Sequence, residues 1–374
     1  MQPKQYPFYI KSTVILLGLV LLVYILLGLR DILVPIAFAV IITILLNPLV
    51  NRFRSKKISK VFSIIIAMLI ALTVVVGIFY FLSSQIIGLG KNLPLLQQKF
   101  VEVLHRLQGW LQHTFGLTIN KQVELLNQAV NNSKAMVGQT LGTALGTIGV
   151  MLFLPVYVFL LLFYKTLILN FLYEVFAEEN SKQVAEILSQ TKAAIQSYMV
   201  GLLIEALVVA TLNSIALLIL GVEYAILFGV IGAILNMLPY IGGIIAIALP
   251  VLMATITKDG FSTQIGIIIA YAIIQFIDNN ILVPRIVSSK VQINALCSIL
   301  IVLLGGSLWG VPGMFLSIPT VAILKIIFDR IPDLEPWGRL LGDDVPTRHL
   351  GQRFAKRNKK KILDEEVVGE IKSS

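Results

Sequence analysis

The chain has 374 residues, of which 57% are hydrophobic and 13% charged, and a formal net charge of +10. Charges are missing from several windows of about 20 residues, the length that spans a bilayer core, which excludes a soluble globular domain. The fold class is therefore all-α: a polytopic integral membrane protein. A single cysteine, Cys297, excludes an internal disulfide and any cysteine-based metal site. His105, His113 and His349 are too scattered to act as ligands, so neither metal nor cofactor is expected.

About eight transmembrane helices are predicted. Residues 1–87 hold the first three: Ser12 to Leu29, Ile32 to Val50 and Val61 to Ile87. The first span is an anchor rather than a cleaved leader, because the small-residue pair Ala37 and Ala39 lies inside the second apolar segment. Between spans two and three, "NRFRSKKISK" carries Arg52, Arg54, Lys56, Lys57 and Lys60 and no acid, which marks a cytoplasmic loop. An even number of spans then places both termini in the cytoplasm. The tail over residues 331–374, with "RFAKRNKKK" from Arg353 to Lys361, is read as a basic, disordered cytoplasmic segment within reach of anionic headgroups. Topology accounts for the net charge, and no nucleic acid is implied.

Residues 88–140 read as an extracytoplasmic amphipathic helical hairpin. Leu89, Leu93, Leu96, Phe100, Val103, Leu107 and Trp110 step by four and three, and Ile119, Val123, Leu126, Val130 and Val137 continue after "FGLTIN". Such helices pair with each other or between subunits, and a homo-oligomer is expected. The fourth span, residues 141–163, opens on a row of Gly138, Gly142 and Gly146 that permits close helix approach. It contains Pro155, predicted to kink it. Residues 164–197 form a cytoplasmic amphipathic helix, with Val184, Ile187, Leu188 and Ile195 on one side.

Residues 198–330 hold the last four spans: Tyr198 to Leu220, Ala225 to Ile256, Ile265 to Val283 and Ile293 to Ile327. Two are overlong and Gly/Pro-broken. "NMLPYIGG" interrupts one, with Asn236, Pro239, Tyr240, Gly242 and Gly243. "GGSLWGVPG" interrupts the other, with Gly305, Gly306, Pro312 and Gly313. A shift of 69 residues aligns Tyr240 with Trp309 and Pro250 with Pro319. Paired interrupted spans point to a transport site, because unwound backbone offers carbonyls and helix-end dipoles at membrane depth and must face protein or water.

The seventh span ends in "QFIDNNILVP". A charge at a helix centre costs about 2.5 to 3.5 kcal/mol on the insertion scale, against a return of about 0.3 to 0.6 for each Ile or Phe. Arg285, seven residues beyond Asp278, is one explanation, as a salt-bridge partner. The other is a polar pathway for an ion or solute, because Gln275, Asp278 and Asn279 share a face and Asn280 follows. Glu205, in "GLLIEALVV", is a second acid within an apolar span, either a packing residue or part of the same pathway.

The stretches "LNMLPYIGG" (Leu235 to Gly243), "QFIDNNILVPRIV" (Gln275 to Val287) and "LLGGSLWGVPGMFLSIP" (Leu303 to Pro319) together resemble the autoinducer-2 exporter family of bacterial membrane permeases. The resemblance implies eight transmembrane helices, a plasma-membrane location, and export or secondary transport. It links some members to a quorum-sensing signal and others to sodium/proton exchange. The family commonly has Gln after the Gly that opens the fifth span. Here Leu202 follows Gly201, and Glu205 stands one turn on.

The resulting expectation is a secondary transporter of a small polar solute or ion in the lipid bilayer of the bacterial inner membrane. Asp278, Gln275, Asn279, Asn280, Glu205, Asn236 and Tyr240 line its pathway, and Pro239, Gly242, Gly243, Gly305, Gly306, Pro312 and Gly313 are its hinges. A sodium/proton antiporter and a passive channel or oligomeric scaffold are the alternatives. An enzyme is not expected: the chain has no His-Glu-x-x-His, no Ser/His pair in the spans, no paired Gly-x-Gly-Asp and no phosphate-binding loop.

Overall fold

The computed structural model describes residues 7–91, 98, 99, 102, 153–175, 181–237, 242–287 and 293–343. Helices dominate these residues. Six are long and apolar enough to cross a membrane, or seven when one bent pair is taken as a single span. Most of the 88–140 hairpin, the Gly138, Gly142, Gly146 row and the first part of the fourth span lie outside the described residues.

The N-terminal layer contains α1 (Phe8–Gly28), α2 (Arg30–Ser55) and α3 (Lys60–Lys91). They form because long apolar runs dominate each one, and lipid leaves their backbone groups no partner except one another. Next comes α4 (Leu154–Phe163), which packs on α2 and α3 around Ala39, Leu46, Val50, Ile64, Ala67, Val158 and Leu162. Lys60 Nζ donates to the carbonyl of Phe163 at 2.6 Å and lies 5.1 Å from the centre of that ring. Lys165 Nζ donates to Asn47 Oδ1 at 3.0 Å. These contacts bring the ends of α2 and α4 and the start of α3 to one side, here called the basic face. Pro155 sits in the first turn of α4, where a missing N–H costs nothing. The sharp bend comes instead at Tyr164, where α5 (Lys165–Val175) turns away by 64° and buries no residue.

One helix, α6 (Ser181–Ile219), joins two expected elements. Its 39 residues rise about 58 Å, nearly twice the hydrocarbon core. The amphipathic stretch expected as a separate helix over residues 164–197 is thus divided between α5 and the first turns of α6, continuous with the fifth span. Those turns are held on the basic face by Gln183, whose Nε2 donates to the Arg330 carbonyl, and by Glu186, which pairs with Arg330 at 2.6 Å.

The two interrupted segments fold back on themselves. In the first, α7 (Ala225–Asn236) and α8 (Gly242–Thr257) run antiparallel. Ala225 and Phe228 at the start of α7 share a core with Met253 and Ala254 at the end of α8, and Gly242 lies against the Leu235 carbonyl. This hairpin opens on the face opposite the basic one, beside the end of α6. α9 (Ser262–Ile277) descends from that face and continues as a π-helical segment, Asp278–Val287.

The second hairpin is α10 (Ala295–Phe328), whose backbone breaks at Gly310 with φ 64° and ψ −143°. Residues eight apart in a straight helix are about 12 Å apart. Here Gly305 lies against Gly313, and Gly306 against Met314, so the limbs are folded together. Asn294, before the first limb, donates from its backbone to the Leu341 carbonyl of α11 (Glu335–Leu341), beyond the second, at 3.0 Å. Both limbs therefore end on the basic face. The overlong segments are hairpins entering from opposite faces, not broken crossings. Because each reverses direction, the two described ends of the chain share the basic face.

Candidate functional site

The tips of the two hairpins converge on one core. Met237 at the end of α7 and Trp309 beside the α10 break both pack on Ile41, Ile195, Met199, Leu202 and Leu316, together with Val283 and Ile286 of the π segment. Trp309 Nε1 also donates to the Leu26 carbonyl of α1 at 2.9 Å. The polar site lies next to this core, where the tip of the first hairpin meets the junction of α9 with the π segment.

Asp278 occupies that junction and is 2% exposed. Its Oδ2 accepts from Asn236 Nδ2 at 2.8 Å and from Gln275 Nε2 at 3.4 Å. Glu205 of α6, 5% exposed, points its carboxyl at that of Asp278 within hydrogen-bonding reach. Two carboxylates cannot bond to each other, since neither has a donor; one proton shared by the pair supplies it. In the ionised pair Asp278 Oδ1 has no donor at all. The arrangement is thus a carboxyl pair with room for one proton, flanked by two carboxamides.

Local structure explains the convergence. Asn236 is the last residue of α7, so the interruption aims its amide into the membrane interior. Gly243, in the first turn of α8, brings bare backbone to the site: a Cβ there would lie 3.3 Å from Gln275 Oε1. The π segment adds a residue to each turn, a distortion often found at functional sites. It also removes Arg285 from the Asp278 face. Arg285 is exposed, and no ion pair joins it to Asp278. The salt-bridge explanation of Asp278 fails on that geometry.

Of the residues singled out from the sequence, the structure gathers Glu205, Asn236, Gln275 and Asp278. Asn279 is exposed and touches the site only through Gln275, whose Nε2 lies 3.3 Å from Asn279 Oδ1. Asn280 is exposed and donates to the carbonyl of Phe276 at 2.8 Å, outside the site. Pro239 and Tyr240 lie outside the described residues. Gly242 is packed against α7, and Gly305, Gly306, Pro312 and Gly313 belong to the second hairpin, away from the acids. Sequence reading passed over Asn213, Gln264 and Tyr271, which are 3%, 6% and 5% exposed. Their signal was present: Gln264, Tyr271 and Asp278 are spaced by seven, the repeat of one helix face. Among the described residues no cluster of His, Cys, Asp and Glu is suited to a metal ion.

Comparison with known proteins gives this site a setting. Residues 13–333 match the model of the AI-2E family transporters. The AI-2 transport protein TqsA of Escherichia coli K12 is 28% identical over 341 residues, covering 88% of this chain and 95% of that protein. YueF of Bacillus subtilis is 27% identical over 263 residues, 67% of this chain and 70% of its own. A protein of Haemophilus influenzae is 34% identical over 122 residues, 33% of this chain and 35% of that one.

Proposed function

The chain belongs to the AI-2E transporter family, and from that premise we propose that it is an ion-coupled exporter of a small polar solute, with the Asp278–Glu205 pair as its coupling site. Family membership makes it a multi-pass membrane transporter of a bacterial family and not an enzyme. The observation that carries the coupling is the burial of two facing carboxyls with no cation beside them among the described residues. A membrane protein keeps so costly a pair only where it performs work. One proton or sodium ion neutralises the site, and the amides of Asn236 and Gln275 are placed to sense its arrival. AI-2 is the first solute to try, given the name of TqsA.

The basic loop from Arg52 to Lys60 supports a cytoplasmic position for the basic face. A membrane-impermeant thiol reagent should therefore label Gln98→Cys, in a Cys297→Ser background, on intact cells. Labelling only after the membrane is opened would reverse the orientation.

The test of coupling is Asp278→Asn, which keeps shape and hydrogen bonding but removes the titrating group. In proteoliposomes with an entrapped pH dye, proton movement driven by an imposed sodium or AI-2 gradient should disappear while the protein remains folded. Full proton movement in a well-folded Asp278→Asn protein would end the coupling claim. Solute flux without any proton or sodium dependence in the unsubstituted protein would favour the passive channel instead.

A further inference from the structure

We propose that Gln264, Tyr271 and Asn213 line a water-filled path that carries protons between the Asp278–Glu205 pair and the face on which α9 begins. The inference rests on the coupling reading above and adds the route by which the proton arrives.

Three facts point to water. First, Gln264, Tyr271, Gln275 and Asp278 lie at steps of seven, four and three along α9 and its extension, on one stripe that rises about 21 Å over 14 residues. That stripe runs from the mouth of the first hairpin to the acid pair. Second, Gln264 Oε1, the Tyr271 hydroxyl and Asn213 Oδ1 are all buried and have no partner among the described residues. A buried polar atom left unbonded costs about 1–3 kcal/mol by the general rule, so three on one route call for a common bonding partner. Third, Gly232 of α7 holds back a side chain where two of these groups meet. A Cβ there would lie 3.3 Å from Asn213 Nδ2 and 3.6 Å from the Tyr271 hydroxyl. The Asn213 amide and the Tyr271 hydroxyl therefore lie no more than about 7 Å apart, a span that one or two bridging waters cover.

The surroundings favour water over a larger solute. Ile267 and Ile274 flank the stripe on α9, a Cβ at Gly232 would lie 3.5 Å from that of Ala246 of α8, and Ala233 is buried beside it. Among the described residues the titratable groups facing the route are Tyr271 itself, Asp278 and Glu205, with Tyr198 two turns before Glu205 on α6. Lys258, whose Nζ reaches Gly221 just beyond the end of α6, stands at the mouth of the hairpin. Each water accepts one proton and passes one on, and the proton ends on the carboxyl pair, so nothing is consumed in transit.

Hydroxyl-radical footprinting of the unsubstituted protein in vesicles tests the hydration directly, since radicals formed from bound water oxidise adjacent side chains. Tyr271 should be modified several-fold faster than Phe228, an aromatic residue of similar burial in the same core. Gly232→Ala, which sets a methyl against both Asn213 and Tyr271, should reduce that difference. Tyr271→Phe should slow Asp278-dependent proton movement several-fold without unfolding the protein. Tyr271 oxidised no faster than Phe228 would overturn the path, even if Asp278→Asn still abolishes coupling. A hydrated Tyr271 whose Phe variant moves protons at the original rate would overturn its role as a conductor. Hydration at Tyr271 in a protein with no Asp278-dependent proton movement would defeat the coupling reading, and the path as a proton route with it.

Discussion

The two hairpins solve the same problem with different chemistry. Each turns the chain back inside the membrane at a Gly-rich interruption, and each brings its tip to the core around Leu202 and Leu316. The first presents Asn236 to Asp278 and the bare backbone of Gly243 to Gln275. The second closes on itself: Gly305 meets Gly313, Ser317 Oγ donates to its own helix at the Gly313 carbonyl at 2.6 Å, and Trp309 ties the tip to α1. A broken membrane helix is therefore not by itself a binding site. The same device serves as chemistry when its freed polar groups face other polar groups, and as packing when glycine contacts absorb them.

The largest expected contrast comes from deleting one polar function in each hairpin's neighbourhood. Asp278→Asn should abolish coupled transport. Ser317→Ala should leave transport intact and shift stability by no more than about 1 kcal/mol, the net worth of one hydrogen bond. Loss of transport in both variants would erase the distinction.

Next in size are the glycine contacts. Gly305→Ala and Gly313→Ala each force a methyl into facing backbone and should destabilise the protein by about 1–3 kcal/mol, read as an earlier thermal unfolding in detergent. Flux per folded molecule should hold. Gly310→Ala should cost a similar amount, about 1–3 kcal/mol, because its φ and ψ lie in a region open essentially to glycine alone. Gly243→Ala should do the reverse, changing ion dependence through Gln275 with little change in melting temperature.

A smaller effect belongs to the base of the second hairpin. Asn294 accepts from the Cys297 N–H at 2.8 Å and donates to the carbonyls of Leu340 and Gly342. Asn294→Ala should cost about 0.5–2 kcal/mol, the range of a lost helix cap, and should loosen α11 without touching transport. The smallest concerns Arg285. Combining Arg285→Gln with Asp278→Asn should give additive stability changes within about 0.5 kcal/mol, as for residues that share no partner. Rescue of folding or flux by the second substitution would restore the salt-bridge explanation.

Composition and charge order were enough for the fold class. Lipid cannot satisfy a backbone amide, so a long apolar run with few charges has one stable conformation, and α1, α2, α3 and α9 follow directly. The interruptions were legible for a related reason, since Gly and Pro at membrane depth must be compensated locally. Asp278 was legible because its cost offsets most of what its span returns. Tertiary structure alone decided the rest. Whether a broken segment crosses or folds back depends on what its limbs pack against, and the Gly305–Gly313 contact joins residues that a straight helix would hold far apart. The π segment rotates Arg285 off the Asp278 face, a register change invisible to an assumed α-helical period. Partnership between Glu205 and Asp278, 73 positions apart, and the meeting of Asn213, Gly232 and Tyr271 from three helices, exist only once α6, α7 and α9 pack side by side. Short-range spacing dictates each helix and its faces, whereas the choice of which faces meet is made by the packing of the whole bundle.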